Sequence, residues 1–196
     1  MIDKEFVEKW ADRYDYSSRY KYPEILKLVH GDIKSLKTLS REAFEIIIRW
    51  KAERNVNNID WDFFEIYAEA IADALTLEGY KNVCRLEGLP GILLPNATTI
   101  LHFIYPQEFP IVDIRTVRVL LYFTQDIDGK ETHYLDTRFK IDYYRYHLYG
   151  YSQFKNAMLG IVRSTKKNLR EIDKSLFSYD TFNRLGVKFS EKGMLK

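Results

Sequence analysis

Apolar residues recur along this chain at three- and four-residue spacings and rarely alternate, the pattern of helices buried on one face rather than of strands. The clearest instance is DWDFFEIYAEAIADALTLE, residues 60–78. It places Phe63, Phe64, Tyr67, Ala70, Ile71, Ala74 and Leu75 on one side and carboxylates on the other, and so predicts one helix. Upstream, Ser40 precedes REAFEIIIRWKAER. Its hydroxyl is an N-cap candidate, Glu42 falls in the first turn, and Ala43, Ile46, Ile47 and Trp50 share a face. Further on, LPNATTILHFIY and DIRTVRVLLYF each predict about three turns of mostly apolar helix, and residues 151–179 predict one long or two shorter basic helices. Residues 125–137 read as a polar, turn-rich loop with an Asp-Gly pair, and the tail after Gly186 as loosely held. No internal repeat is present. The expectation is an all-α fold of roughly eight to ten helices, organised as a single helical domain over residues 1–196.

Composition narrows the setting. A chain of 196 residues, 46% of them hydrophobic, can bury a substantial core. Its one cysteine, Cys84, allows neither a disulfide framework nor a four-cysteine zinc or iron–sulfur site within the chain. In the helical stretch YKNVCRLE it reads as a buried apolar residue. The opening MIDKEFVEKWADRY lacks the basic-then-apolar pattern of a secretory signal, and no run of about 18 apolar residues occurs, so the expectation is a cytoplasmic protein with no membrane partner.

The net charge of +2 hides an asymmetry. Residues 1–80 hold 12 Lys/Arg against 16 Asp/Glu, whereas residues 81–196 hold 18 against 12. The excess concentrates at residues 138–174, where nine cations, among them Arg145, Lys166 and Lys167, face three acids. A basic stretch of this kind suits polyanion binding through counterion release, and it equally suits a solvated helix face.

Most familiar chemistries are missing. The histidines His30, His102, His133 and His147 have no i, i+4 histidine partner, so a metalloprotease-type zinc helix is excluded and no metal ligand set stands out. Neither a dinucleotide-binding nor a phosphate-loop glycine motif occurs. What stands out is an acid, Asp113, inside the apolar run FPIVDIRTVRVL, and the segment that leads to it from Leu89, LPGILLPNATTILHFIYPQEFPIVDIRTVRVL.

That segment resembles, without a gap, the hairpin-to-aspartate region of the helix-hairpin-helix DNA glycosylase superfamily, which includes endonuclease III and the adenine glycosylases. Leu89, Pro90, Gly91 and Ile92 match the hairpin, Ala97, Ile100 and Leu101 the following helix, and Pro110, Ile111 and Asp113 the turn that carries the family's acid. A closer likeness is to a smaller group of uncharacterised bacterial proteins within the superfamily. The shared stretches are WKAER (Trp50, Lys51, Arg54), PQEFPIVDIR (to Arg115) and LREIDKSL (from Leu169), so the resemblance covers about residues 38–180.

The resemblance implies a DNA-binding protein, with duplex DNA as partner, in which Asp113 stabilises the positive charge that develops on deoxyribose during base excision. The lysine nucleophile of bifunctional members would fall at Pro95, 18 positions before Asp113. Any activity would therefore be monofunctional hydrolysis without a Schiff base. The hairpin, residues Gly88 to Ile92, would present backbone N–H groups to a phosphate, with a monovalent cation as the one cofactor the family suggests and no iron–sulfur cluster. Two departures bear on this: Leu93 stands where the family has a second glycine, and Pro95 removes an amide.

Each candidate also has a structural reading. Asp113 could be an N-cap; Trp50 falls on an apolar helix face, with Lys51 and Arg54 the other candidate pocket residues; Arg115 could pair with an acid. Arg170, Glu171 and Asp173 suit an ion network. The run YYRYHLYGY around Arg145 suits base stacking, core packing or a protein partner. The alternatives to an enzyme are a non-catalytic DNA-binding module and a helical interaction protein that has kept the fold.

Overall fold

The computed structural model describes residues 1–15, 19–124 and 134–191, and all regular structure among them is helical. They form two compact units. A terminal unit combines Met1–Tyr16 with Pro110–Lys196, and a central unit comprises Ser17–Phe109. The junctions carry no long polar or Gly-rich linker, the second being the short stretch YPQEFP, and composition therefore suggests one continuous organisation.

In the central unit, α2 (Tyr22–Leu36), α3 (Arg41–Lys51), α4 (Phe64–Thr76), α5 (Lys81–Glu87) and α6 (Leu94–Ile104) are joined by short connections, including 3-10 turns at Glu53–Asn58 and Trp61–Phe63. Ser40 caps α3 as its position predicts, its Oγ accepting the Ala43 N–H at 3.2 Å while its own N–H and hydroxyl donate to Asp32. The core is built from Phe44, Ile47 and Ile48 of α3, Tyr67 and Ile71 of α4, Val83 and Leu86 of α5, and nearly all of α6. That α6 is buried all round explains its continuous apolar sequence. Buried His102 bridges Tyr22 Oη through Nε2 and the Phe109 carbonyl through Nδ1, both at 2.8 Å. Because a carbonyl only accepts, Nδ1 carries the proton and Nε2 takes the tyrosine hydroxyl.

Two central-unit expectations change. The helix predicted over 60–78 begins only at Phe64, leaving Phe63 in the 3-10 turn and largely exposed. Cys84 is exposed rather than buried, since α5 turns Val83 and Leu86 inward instead.

In the terminal unit, α1 (Lys4–Ala11) joins α7 (Ile114–Thr124), α8 (Ile141–Tyr146), α9 (Leu148–Thr165), α10 (Leu169–Asn183) and α11 (Leu185–Glu191). An aromatic cluster fastens α1 to the rest: Phe6 meets Phe123 edge-on and Tyr179 at 5.1 Å, and Trp10 meets Tyr179 and Phe182. The basic region resolves into two helices. Lys166 ends α9 in the left-handed region (φ 60°), and Asn168 starts α10 through a capping box with Glu171. Across α7 and α10, buried Arg118 holds buried Asp180 in a two-pronged pair, Nε to Oδ1 at 2.7 Å and Nη2 to Oδ2 at 2.5 Å. The tail is better held than expected: α11 buries Leu185 and Phe189, and Gly186 leaves room for the Arg118 guanidinium, which a Cβ there would meet at 3.1 Å. Of the loop expected at 125–137, residues 125–133 lie outside the described residues. Thr124 Oγ1 accepts the N–H groups of Tyr134 and Leu135 where the description resumes. No described helix is long and apolar enough to cross a membrane.

Candidate nucleic-acid interface

Gly88–Leu93, the segment that the resemblance reads as a hairpin, is a turn that joins α5 and α6. Leu89 and Ile92 are buried and pin the turn to the core, while Pro90 is exposed. Of the two glycines, only Gly91 needs to be one. Its φ is +73°, and a Cβ there would fall 2.0 Å from the Asn58 carbonyl oxygen, whereas Gly88 has ordinary helical φ as the C-cap of α5.

Three side chains lock the turn from outside it. Tyr67 Oη donates to the Pro90 carbonyl at 2.9 Å and accepts the Asp60 N–H, Asn96 Nδ2 reaches the Gly91 carbonyl at 3.4 Å, and Asn55 Nδ2 donates to Asn96 Oδ1 at 3.1 Å. Sequence reading missed these supports. Asn96, in the first turn after the hairpin, was visible as a polar residue in an apolar helix, but the approach of Asn58 to Gly91 is a long-range contact with no local signal.

The turn's hydrogen bonds leave donors over. Leu89 N–H reaches Leu86 and Ile92 N–H reaches Leu89, but the amides of Gly91 and Leu93 find no acceptor among the described residues. Leu93, the N-cap of α6, provides no side-chain cap and is 59% exposed. Arg54 is exposed on the 3-10 turn that supplies Asn55 and Asn58. The carbonyls of Leu89, Pro90 and Gly91, which the monovalent cation suggested by the resemblance would use, each accept one protein donor.

Trp50 does not line an open pocket. It is buried against Tyr22 and meets Phe103 edge-on at 5.0 Å. Lys51, the last residue of α3, is half-buried.

In the terminal unit Asp113 is half-buried and caps α7: its Oδ1 accepts the Arg115 N–H at 2.9 Å, and its carbonyl takes the Val117 N–H and the Thr116 hydroxyl. The preceding turn is fixed by buried Ile111 and Val112 and by Tyr151 Oη, which donates to the Pro110 carbonyl at 3.1 Å. The Arg115 guanidinium turns to α10 instead, donating to Thr181 Oγ1 at 2.9 Å and lying 4.2 Å from the Phe177 ring centroid. Deeper on α10, burial pushes the Asp180 carboxyl above its usual range; the hydrogen bond and charge of Arg118 oppose that rise, and the Asp113 charge adds to it.

The basic stretch is partly engaged within the protein. Lys167 pairs with Glu8 at 3.0 Å and with Glu171 at 3.5 Å, and its hydrogen bond holds the Glu8 carboxyl below its usual range. Arg170 pairs with Asp173 and donates to Tyr14 Oη, and Arg145 lies 3.3 Å from Asp142. Lys166 is exposed at the end of α9. A broad groove of about 880 Å³ runs between Tyr134–Arg138 and the Gln153–Ser164 stretch of α9; no residue of the hairpin or of the Asp113 turn lines it. Among the described residues no group of three or more His, Cys, Asp or Glu could hold a metal ion.

Compared with known proteins, the chain matches no family model, no curated protein and no solved structure.

Proposed function

We propose that this chain is a DNA-binding protein of the helix-hairpin-helix glycosylase type, which offers the α5–α6 turn to the phosphate backbone of duplex DNA. One observation carries the reading: the amides of Gly91 and Leu93 have no acceptor among the described residues, at an exposed turn whose backbone is held rigid by Tyr67, Asn96 and the close approach of Asn58. Unmatched N–H groups at the start of a helix attract an anionic oxygen, and the partial positive charge of the α6 N-terminus adds to that attraction. Arg54 is an exposed cation on the 3-10 turn whose Asn55 and Asn58 support this segment, and such a charge favours a polyanion. The exposed Leu93 does not close the turn to a backbone, since its amide precedes the helix while its side chain stands in solvent.

Catalysis is the second reading, and Asp113 favours it. Its carboxylate stands at a helix N-terminus, where negative charge is stabilised, on a turn fixed by Tyr151. Such a group can face the oxocarbenium-like sugar of a flipped nucleotide and accept a proton from the attacking water. With proline at position 95 the reaction would be monofunctional base hydrolysis.

The binding reading is tested by titrating a labelled duplex at low salt with wild type and with Leu93→Glu. The substitution puts a carboxylate where a phosphate should approach and leaves the core intact. Affinity should fall roughly tenfold or more with unchanged melting temperature. Equal affinity would remove the hairpin from the interface.

A further inference from the structure

The run YYRYHLYGY contains more aromatic surface than the terminal unit buries. Tyr144 and Tyr151 go inward, Tyr144 Oη donating to the Asp136 carbonyl at 2.7 Å, and they account for the core-facing share. The others form an ordered array. Phe139 and Tyr143 stack at 4.0 Å with 10° between their planes, and Tyr143 stacks in turn with His147 at 5.3 Å and 30°, giving a column of three rings at four-residue spacing. Tyr149 meets Tyr143, the middle ring of the column, edge-on and is 66% exposed, and Tyr146, the last residue of α8, is 44% exposed.

Cations are interleaved with the rings. The Arg145 guanidinium lies 4.9 Å from the Tyr146 centroid, Arg138 lies 6.0 Å from the Phe139 centroid, and Lys140 is exposed between them. The array is rigid because α8 and α9 meet without a gap: a Cβ at Gly150 would fall 2.2 Å from the Tyr143 carbonyl oxygen. Across residues 134–165 the exposed large hydrophobic side chains are Tyr146 and Tyr149, with no exposed Leu, Ile, Val or Met beside them.

We infer that this surface of α8 and the start of α9 is a stacking platform for unpaired nucleotides, so that the protein takes single-stranded DNA at a place distinct from the hairpin turn. The inference rests on the nucleic-acid reading above and deepens it by naming a second form of DNA. Exposed aromatic faces flanked by Arg and Lys are what an unpaired strand requires, because every base offers a π-face and every linkage a phosphate. The two ion pairs of the patch, Arg138 with Asp136 and Arg145 with Asp142, leave Lys140 as positive excess, so the charge complements a polyanion.

The test is fluorescence anisotropy with a labelled 20-nucleotide oligothymidylate, with heparin titrated separately as a polyanion that has no bases. Wild type should bind the oligonucleotide. The double variant Tyr146→Ala/Tyr149→Ala should bind it roughly tenfold to a hundredfold more weakly, since each stacked base contributes about 1–3 kcal/mol, whereas Tyr146→Phe/Tyr149→Phe should stay within about twofold. Heparin affinity should be the same for all three proteins. The proposal is overturned if the alanine double variant binds the oligonucleotide as wild type does, if its heparin affinity falls in parallel, or if wild type binds no oligonucleotide at the lowest salt. Leu93→Glu separates this from the hairpin reading. It should weaken duplex binding and spare the oligonucleotide, and a loss of oligonucleotide binding with Leu93→Glu alone would place the strand on the hairpin and refute the platform.

Discussion

Asp113 combines two roles that a sequence reading has to weigh against each other, and the structure makes them separable by experiment. Its Oδ1 accepts the Arg115 N–H, so the residue is an N-cap whatever else it does. Asparagine caps helices about as well as aspartate, whereas alanine does not. Asp113→Ala should therefore cost about 1 kcal/mol in urea unfolding and Asp113→Asn only a few tenths. With stability matched in this way, a panel of duplexes carrying deaminated, alkylated or oxidised bases isolates the charge: base release by wild type that Asp113→Asn abolishes would make the carboxylate catalytic. Release unchanged in the variant would leave Asp113 as a cap alone. Gly91 shows the opposite case, a residue with a purely steric reason to be what it is. Gly91→Ala meets both a left-handed φ and the Asn58 carbonyl, and should destabilise by about 2–4 kcal/mol on chemical denaturation. A loss below about 1 kcal/mol would mean that the turn relaxes away from Asn58. The sequence marked both positions, because an acid in an apolar run and a Pro-Gly turn are local signals. It did not mark the contacts that Asn58 and Tyr67 make with the turn from 33 and 23 positions away.

At the level of elements, helical periodicity made α3, α6, α7 and the body of α4 legible, because each buries a wide apolar stripe or is buried all round. The failures have physical causes. Phe63 fits the period of α4 but lies in the 3-10 turn before it, and α5 is too short at seven residues for its pattern to decide which side faces inward, so Cys84 was assigned to the wrong face. Residues 185–191 carry only two apolar anchors, Leu185 and Phe189, which is too little periodicity to announce α11. The contact that ties α7 to α10 was also invisible, since Arg118 and Asp180 are 62 residues apart. Burial raises the Asp180 carboxyl despite its bidentate partner, so desolvation outweighs attraction for that carboxylate. Removing one partner, as in Asp180→Ala, should cost about 3–5 kcal/mol by stranding a buried guanidinium, while Arg118→Met combined with Asp180→Leu should cost far less or nothing. A double variant as unstable as the single one would show that the pair itself stabilises the unit.

For the whole molecule, the all-helical class follows from periodicity, whereas the division into a central unit and a unit built from both chain ends does not. The ends are joined through contacts that sequence distance conceals: Phe6 and Trp10 against α10, Lys167 with Glu8, and the Ile2 N–H donating to Tyr134 Oη. Charge counting likewise overstated the basic face, because Lys167 and Arg170 are engaged by acids of the same unit. Whether backbone amides of the α5–α6 turn meet DNA phosphate is read directly by amide hydrogen exchange of the full chain with and without a saturating duplex. Exchange in the peptide spanning residues 88–96 should slow when duplex is added at low salt and recover its free rate as salt is raised. Duplex binding that leaves exchange in this segment unchanged while protecting other segments would contradict the phosphate contact.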